Sequence, residues 1–388
     1  MSPRSFHSLS IATLGFAAAF GWDIQPKAFN APTPEPTVSA AHQEILDLMS
    51  IVYLPQGGGA ATAKTLRIEG ANLQIVNGLG ATNGYPTNPT STNSADTVTN
   101  GLGNLIIGYN EEGSFAGDVR TGSHNLIVGI QQSYTSFGGA VMGREGTSSG
   151  PYASITGGRR GLASNDYATV SGGQDNTASG NGAWCGGGED GIASGTRSSV
   201  LGGSNNTATG PYATVSGGIA NTASASNSSV TGGGFNEASG SNSAVHGGQS
   251  NTASGTNSTI TGGASNSANG LYAVVSGGGQ NSASGDYASI SGGYSGVVGQ
   301  DYSSIAGGFN NTVSSPHSFI GGGRDNVTAF RYTAVLGGLS NYAGGDYASV
   351  AGGYDGAASG FYSVLSGGYQ RSTGGTYNWV GGGLFQSQ

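Results

Sequence analysis

From Gly157 onward the chain alternates small or β-branched residues with polar ones, and the alternation restarts every 15 residues at a Gly-Gly pair. The pairs begin at Gly157, Gly172, Gly187, Gly202, Gly217, Gly232, Gly247, Gly262, Gly277, Gly292, Gly307, Gly322, Gly337, Gly352, Gly367 and Gly382. Sixteen doublets in unbroken register make each repeat one structural unit. Counted from Tyr152, the unit reads Tyr-Ala/Ser-Ser-Val/Ile-Ser-Gly-Gly-x-x-Asn-Thr-Ala-Ser-Gly-x. Position 4 is apolar throughout, and its ladder Val200, Val215, Val230, Val245, Ile260, Val275, Ile290 and Ile305 is the predicted core. Positions 2, 4 and 6 (small, β-branched, Gly) against polar positions 3 and 5 predict a strand with one buried face. Position 12, usually Ala as in Ala178, Ala208 and Ala253, lies between polar neighbours and predicts a second short strand.

Position 10 is Asn in ten copies (Asn176, Asn206 and Asn221 among them) and Gly in four. Those two residues accept positive φ most cheaply, which predicts a corner there; the Gly at position 7 and the usual Gly at position 14 predict the other bends. Two short strands and their corners make one coil of a parallel β-solenoid, so the predicted fold is all-β. Coils stack about 4.8 Å apart, so sixteen of them give a rod of roughly 75 Å. Only small apolar residues face inward, so the roll is narrow, and stacking is what buries each unit's apolar face.

Upstream the pattern changes. Residues 1–21 have the layout of a secretory signal peptide: Arg4, an apolar stretch from Leu9 to Phe20, and small residues Ala17 to Ala19. Residues 22–38 carry Pro26, Pro32, Pro34 and Pro36 and read as a linker. Within 39–55, Ala41, Ile45, Leu48 and Val52 are spaced as an a/d seam and predict a short amphipathic helix. A helix of that length needs neighbours, either the chain's own body or sister chains. Residues 56–100 hold two strand-like runs, Thr65–Ile68 and Leu73–Val76, followed by a polar loop over 82–100. Irregular leading coils are expected over 101–150 and regular ones over 151–388.

Composition narrows the function classes. Of 388 residues, 76 are Gly and only 8% are charged, against roughly 25% in an average soluble domain. So much Gly excludes a helix-rich enzyme. No Gly-X-Y triplet runs through it, and 18 Tyr, 12 Phe and 3 Trp are too large an aromatic load for disorder. A net charge of −8 argues against nucleic acid as partner. The single Cys185 excludes a disulfide framework, and no internal apolar run is long enough to span a membrane. No cofactor is expected.

Three segments before the doublets carry the same strand-then-Gly signal: Asn104-Leu105-Ile106-Ile107-Gly108, Asn125-Leu126-Ile127-Val128-Gly129 and Ala140-Val141-Met142-Gly143. From Gly129 to Gly143 to Gly157 the step is 14 residues. A 14-residue unit of this kind resembles the head repeat of YadA-like trimeric autotransporter adhesins, over about residues 101–388. The resemblance implies a left-handed parallel β-roll and a homotrimer with three chains side by side. It also implies cell-surface adhesion to extracellular matrix, a glycan or another cell-surface ligand. Two departures qualify what carries over: the repeat settles at 15, and no coiled-coil stalk or membrane barrel precedes Gln388. A secreted relative of the head, released or held by a partner, is therefore expected.

Tyr holds position 1 in ten copies, including the runs Tyr272, Tyr287, Tyr302 and Tyr332, Tyr347, Tyr362, Tyr377. This stripe reads either as an adhesive surface or as stacked rings covering a corner or a chain–chain seam. Thr-x-Thr pairs such as Thr207 with Thr209 hint at an ice-binding face, but Trp184, Leu201, Glu237, His246 and Phe319 interrupt the ladders. Corner acids Asp175, Asp190, Asp325 and Asp355 give one carboxylate each, too few for calcium. His246 and His317 fall on different columns several coils apart, so no catalytic or metal site is expected.

Overall fold

The structure, a computed structural model, describes residues 39–55, 62–113 and 117–381. The expected signal peptide, the linker and the doublet at Gly382 lie outside the described residues. The chain divides into two compact units, one ending at Gln74 and one beginning at Ile75.

In the first unit, Ser39 caps helix α1 (Ala40–Asp47) by accepting from the His42 amide. The helix is shorter than the expected 39–55. Strand β1 (Met49–Pro55) follows and pairs antiparallel with β2 (Thr62–Ile68), Ile51 opposite Leu66 and Val52 opposite Thr65. Val52 thus belongs to a hairpin, not to the a/d seam. Ile51-Val52-Tyr53 is β-branched and aromatic, and a cross-strand partner outweighs the two-heptad helical pattern. Leu73–Val76, read as a strand, forms none.

The second unit is the solenoid. Within it, positions 3–4 of each coil pair in parallel with positions 3–4 of the next, as Ser154 with Thr169 and Ile155 with Val170. Positions 11–12 do the same, as Thr177 with Leu162 and Ala178 with Ala163. Position 8 adds a third, single-residue ladder, from Arg159 through Gln174 and on to Tyr369. Among the described residues the fold is all-β apart from α1 and one short 3₁₀ turn at Ser94–Asp96. Before the first coils, the loop expected over 82–100 is folded around Asn83, whose amide donates to the carbonyls of Asn88 and Ser91.

Register explains why the repeat is 15 and not 14. Leu126 pairs with Ala140 and Ala140 with Ser154, steps of 14, whereas Ser154 pairs with Thr169, a step of 15. Val141 faces Ile155, yet Arg144 bridges Arg159, so the extra residue enters between Ile155 and Arg159. Gly143 and Gly158 share a left-handed backbone, with φ of 103° and 87°. The doublet's first Gly is therefore the insertion. Like a bulge, it interrupts the ladder: the strand is five residues long at Leu126–Ile130 and Ala140–Arg144 but two residues long from Ser154 onward.

The core holds the predicted ladder Val200, Val215, Val230, Val245, Ile260, Val275, Ile290 and Ile305, with Ala at positions 2 and 12. Position 6, expected inward, is not buried; at Gly172, Gly217 and Gly262 an added Cβ would meet nothing. Position 10 takes its place inside. Asn does not make the corner as expected: positive φ falls at positions 1, 7 and 9, and the Asn side chains are buried. The Asn206 amide donates to the carbonyls of Gly202 (2.8 Å) and Gly218 (3.0 Å) and accepts from the Asn221 backbone amide (3.0 Å). Each such Asn ties its own coil to the next and satisfies interior backbone groups that a narrow roll leaves short of partners. Position 14 is not a positive-φ bend either; Gly there leaves room for the next coil's backbone, which a Cβ at Gly180 or Gly240 would strike.

Candidate functional site

The most distinctive surface grows out of one turn. The amide of position 2 bonds back to the carbonyl of position 14, as Ala183 to Gly180 (3.0 Å) and Ala288 to Gly285 (3.2 Å). Positions 15 and 1 are therefore the middle of a β-turn, and position 1 is left-handed, the type II pattern. Such a turn favours Pro at its first central residue and Gly or Asn at its second. Pro151, Pro211 and Pro316 stand at position 15, and Gly182, Asn227, Asn242 and Asn257 at position 1.

Tyr272, Tyr287, Tyr302, Tyr332, Tyr347, Tyr362 and Tyr377 break that rule, with φ between 53° and 60°. A left-handed backbone costs a residue with a Cβ about 1–2 kcal/mol. What offsets it is visible: the rings stack. Centroids are 5.1 Å apart from Tyr272 to Tyr287 and 4.9 Å from Tyr287 to Tyr302. His317 then fills the gap between the two Tyr runs, 5.2 Å from Tyr302 and 4.9 Å from Tyr332. The stack continues at 4.9, 4.6 and 5.3 Å to Tyr377. All seven Tyr side chains remain 40–73% exposed. Of the two readings of the stripe, the stacked corner cover describes its geometry, and its outer edge stays open within this chain.

Sequence reading missed three parts of this surface. His317, weighed with His246 only for a catalytic or metal site, lies 15 residues from both Tyr302 and Tyr332, and that spacing is the signal that places it in the column. Phe361 packs edge-on against Tyr362, centroids 4.4 Å apart. At position 8 a second, broken column runs beside the Gly doublets: Tyr294 on Phe309 (5.7 Å), the Arg324 guanidinium over Phe309 (5.2 Å), and Tyr354 on Tyr369 (5.2 Å).

Charged chemistry collects elsewhere and is internally paired. An open cleft of about 610 Å³ is lined by Asp118, Arg144, Glu145, Arg159 and Arg160 among others. Glu145 meets Arg144 at 3.0 Å and Arg159 at 3.5 Å, while Arg160 pairs with Asp175. The side-chain hydrogen bonds of that last pair hold the Asp175 carboxyl below the usual carboxylate range and raise Arg160. Cys185 is buried beneath Gly191, and desolvation pushes its thiol up to about 11, so it is held as the neutral thiol. Among the described residues, no group of three or more His, Cys, Asp or Glu side chains is placed to hold a metal ion. Likewise, among them no helix is long and apolar enough to cross a membrane. No protein-family model and no curated protein matches the chain.

Proposed function

We propose that this protein is an extracellular structural and adhesive rod. It is akin to the head of a trimeric adhesin, and it works by presenting a long aromatic edge rather than by catalysis. The observation that carries this reading is the unbroken file of Tyr and His317 at a turn position where Asn or Gly is locally cheaper. Rule-breaking residues of this kind, repeated over eight coils and left exposed, mark a surface kept for its side chains. The signal-like N-terminus supports export, and the low charge and rigid stacked coils suit a spacer outside the cell. Association of three chains belongs to the same proposal, with the apolar residues of α1 and β1 as its candidate contacts.

Two measurements test it. Light scattering on the exported chain is expected to give three times the chain mass, and deletion of residues 22–55 is expected to reduce it; a single-chain mass in both would sink the trimer. Beads coated with the full chain should attach to cells or matrix and lose attachment when Tyr287, Tyr302, Tyr332 and Tyr347 are changed to Asn. Equal attachment by both would sink the adhesive reading of the edge.

A further inference from the structure

The aromatic edge is more selective than an apolar patch. From Tyr287 to Tyr362 each ring has a stacked neighbour on both faces, with interplanar angles of 5–18°. Ring faces are therefore spent inside the column, and what points outward is ring edge and phenol oxygen. Among the described residues, no phenol of this column is hydrogen-bonded, in contrast with Tyr212, which accepts from Arg197 at 3.1 Å. The result is a single file of free hydroxyls, one per coil, with the His317 imidazole standing in once as donor or acceptor.

Acids flank the file. Asp286 and Asp301 at position 15 each give one oxygen to a backbone amide of the preceding coil, at 3.0 and 2.9 Å, and Asp346 does the same for Arg331 at 3.1 Å. The second oxygen of Asp346 lies 3.9 Å from the Arg331 guanidinium, whereas those of Asp286 and Asp301 add acceptors beside the phenols and disfavour a polyanion, as does the net charge of −8.

A file of identical polar groups repeating at the coil spacing complements a ligand that repeats at that spacing and carries hydroxyls along its edge. Few folded protein surfaces other than another stacked-strand face have such a period. The coil rise of about 4.8 Å is close to the advance of one pyranose in an extended β-linked chain. We propose that coils Tyr272 to Tyr377 bind an uncharged, extended β-linked polysaccharide laid along the rod axis, one sugar per coil, its hydroxyl edge on the phenol file. An α-linked glucan, which coils, follows the file for only a few residues. This rests on the adhesive reading of the same edge and names its ligand.

The test uses the full chain, with microcrystalline cellulose and β-chitin as probes and starch granules and heparin as controls. Replacing Tyr287, Tyr302, Tyr332 and Tyr347 with Asn keeps the turn, since Asn227, Asn242 and Asn257 hold the same position at φ of 56–57°. Replacing the same four with Phe keeps the stack and removes only the hydroxyls. Binding to at least one of the two fibrils is expected, with none to starch or heparin. The Asn variant is expected to bind at least tenfold more weakly, and the Phe variant several-fold. Absence of binding to both fibrils, equal binding to starch, or an Asn or Phe variant that binds like the parent would each overturn the proposal. If fibril binding is absent while cell attachment still depends on the four Tyr, the ligand assignment fails and the adhesive reading stands. If light scattering instead shows self-association that the Asn variant abolishes, the occupant is a second copy and the proposal fails.

Discussion

The coils around Asn206–Asn281 and those around Tyr272–Tyr377 share a backbone but are tied together from opposite sides. In the first region six successive buried Asn residues run up the interior, each accepting from the backbone amide of the next. Their outer corners carry Arg197, Tyr212, Asn227, Asn242 and Asn257, and in the last of them Tyr272 begins the ring stack. In the second region the inner ladder is broken at Gly296, Gly356 and Arg371, while the corner carries the continuous ring stack. Bulk fills the gaps at two of these breaks: Ile290 and Ile305 border the space over Gly296, and Leu365 reaches into the space an Asn side chain at Gly356 would need. One repeat therefore supports two kinds of cohesion, amide-to-backbone within and ring-to-ring without. The second kind leaves its edge available to partners.

The shared backbone should be the hardest thing to alter in either region. Gly218 and Gly308 have φ of 89° and 93°, and a Cβ on either would run into the carbonyl oxygen of Gly233 or Gly323. Gly218→Ala and Gly308→Ala should each cost about 3 kcal/mol or more in denaturant titrations. Their doublet partners have open space around them, so Gly217→Ala and Gly307→Ala should cost less than about 1 kcal/mol. Equal costs within a doublet would contradict the placement of the inserted residue.

The inner ladder comes next. Asn236 donates to Gly232 and Gly248 and accepts from the Asn251 amide; Asn341 donates to Gly337 and Gly353 and accepts from the Gly356 amide. Apart from a 3.2 Å contact in which the Asn251 side-chain amide donates to Asn236 Oδ1, these partners are backbone groups, so ladder continuity should matter little. Alanine at either position should cost about 3 kcal/mol through stranded buried polar groups. A clearly larger loss at Asn236 would show that consecutive amides reinforce one another.

At the corner the expected effects are smaller. Tyr332→Asn removes two stacking contacts, each worth about 0.5–1.5 kcal/mol, but relieves about 1–2 kcal/mol of left-handed strain. Its net effect should stay within about 1 kcal/mol by the same titration, as should the reverse change of Asn227, Asn242 and Asn257 to Tyr. A much larger loss at Tyr332 would make the column a structural necessity and weaken its reading as a surface.

Upstream of both regions an ion pair, Arg160 with Asp175, occupies successive corners at position 9. The carboxyl is held below its unfolded value, so the pair stabilises above the usual carboxylate range. That contribution fades as pH falls through the lowered value. Both groups are exposed enough for solvent to screen them, and Asp175→Asn should move Tm at pH 7 by no more than about 1 °C.

Most of the architecture was legible because a 15-residue period leaves little freedom: the core ladder, the two strands and the stacking follow from which positions are apolar. The corners were not. Asn at position 10 and Gly at position 14 carry the usual composition of bends, yet Asn is there because its side chain donates twice and accepts once inside a narrow roll. Gly is there because the next coil passes too close for a side chain. Only stacking distinguishes these roles from turn chemistry, and stacking is invisible within one repeat. The same holds for His317, unremarkable as a residue and essential as the ring between Tyr302 and Tyr332. At α1 the failure was local: eight helical residues and a hairpin compete over one apolar stretch, and spacing alone did not choose between them.

The direction of the hydrogen bonds has a mechanical consequence. Nearly every strand bond runs along the rod, from one coil to the next, so a load applied along the axis reaches the coils one after another. A coil that peels away surrenders 15 residues, about 50 Å of extended chain, in place of the roughly 4.8 Å it occupied. At each yielding step the released coil alone would lengthen about tenfold while the coils behind it stay intact, and a filament of this kind fixed at both ends would so absorb a sudden pull as a brake does.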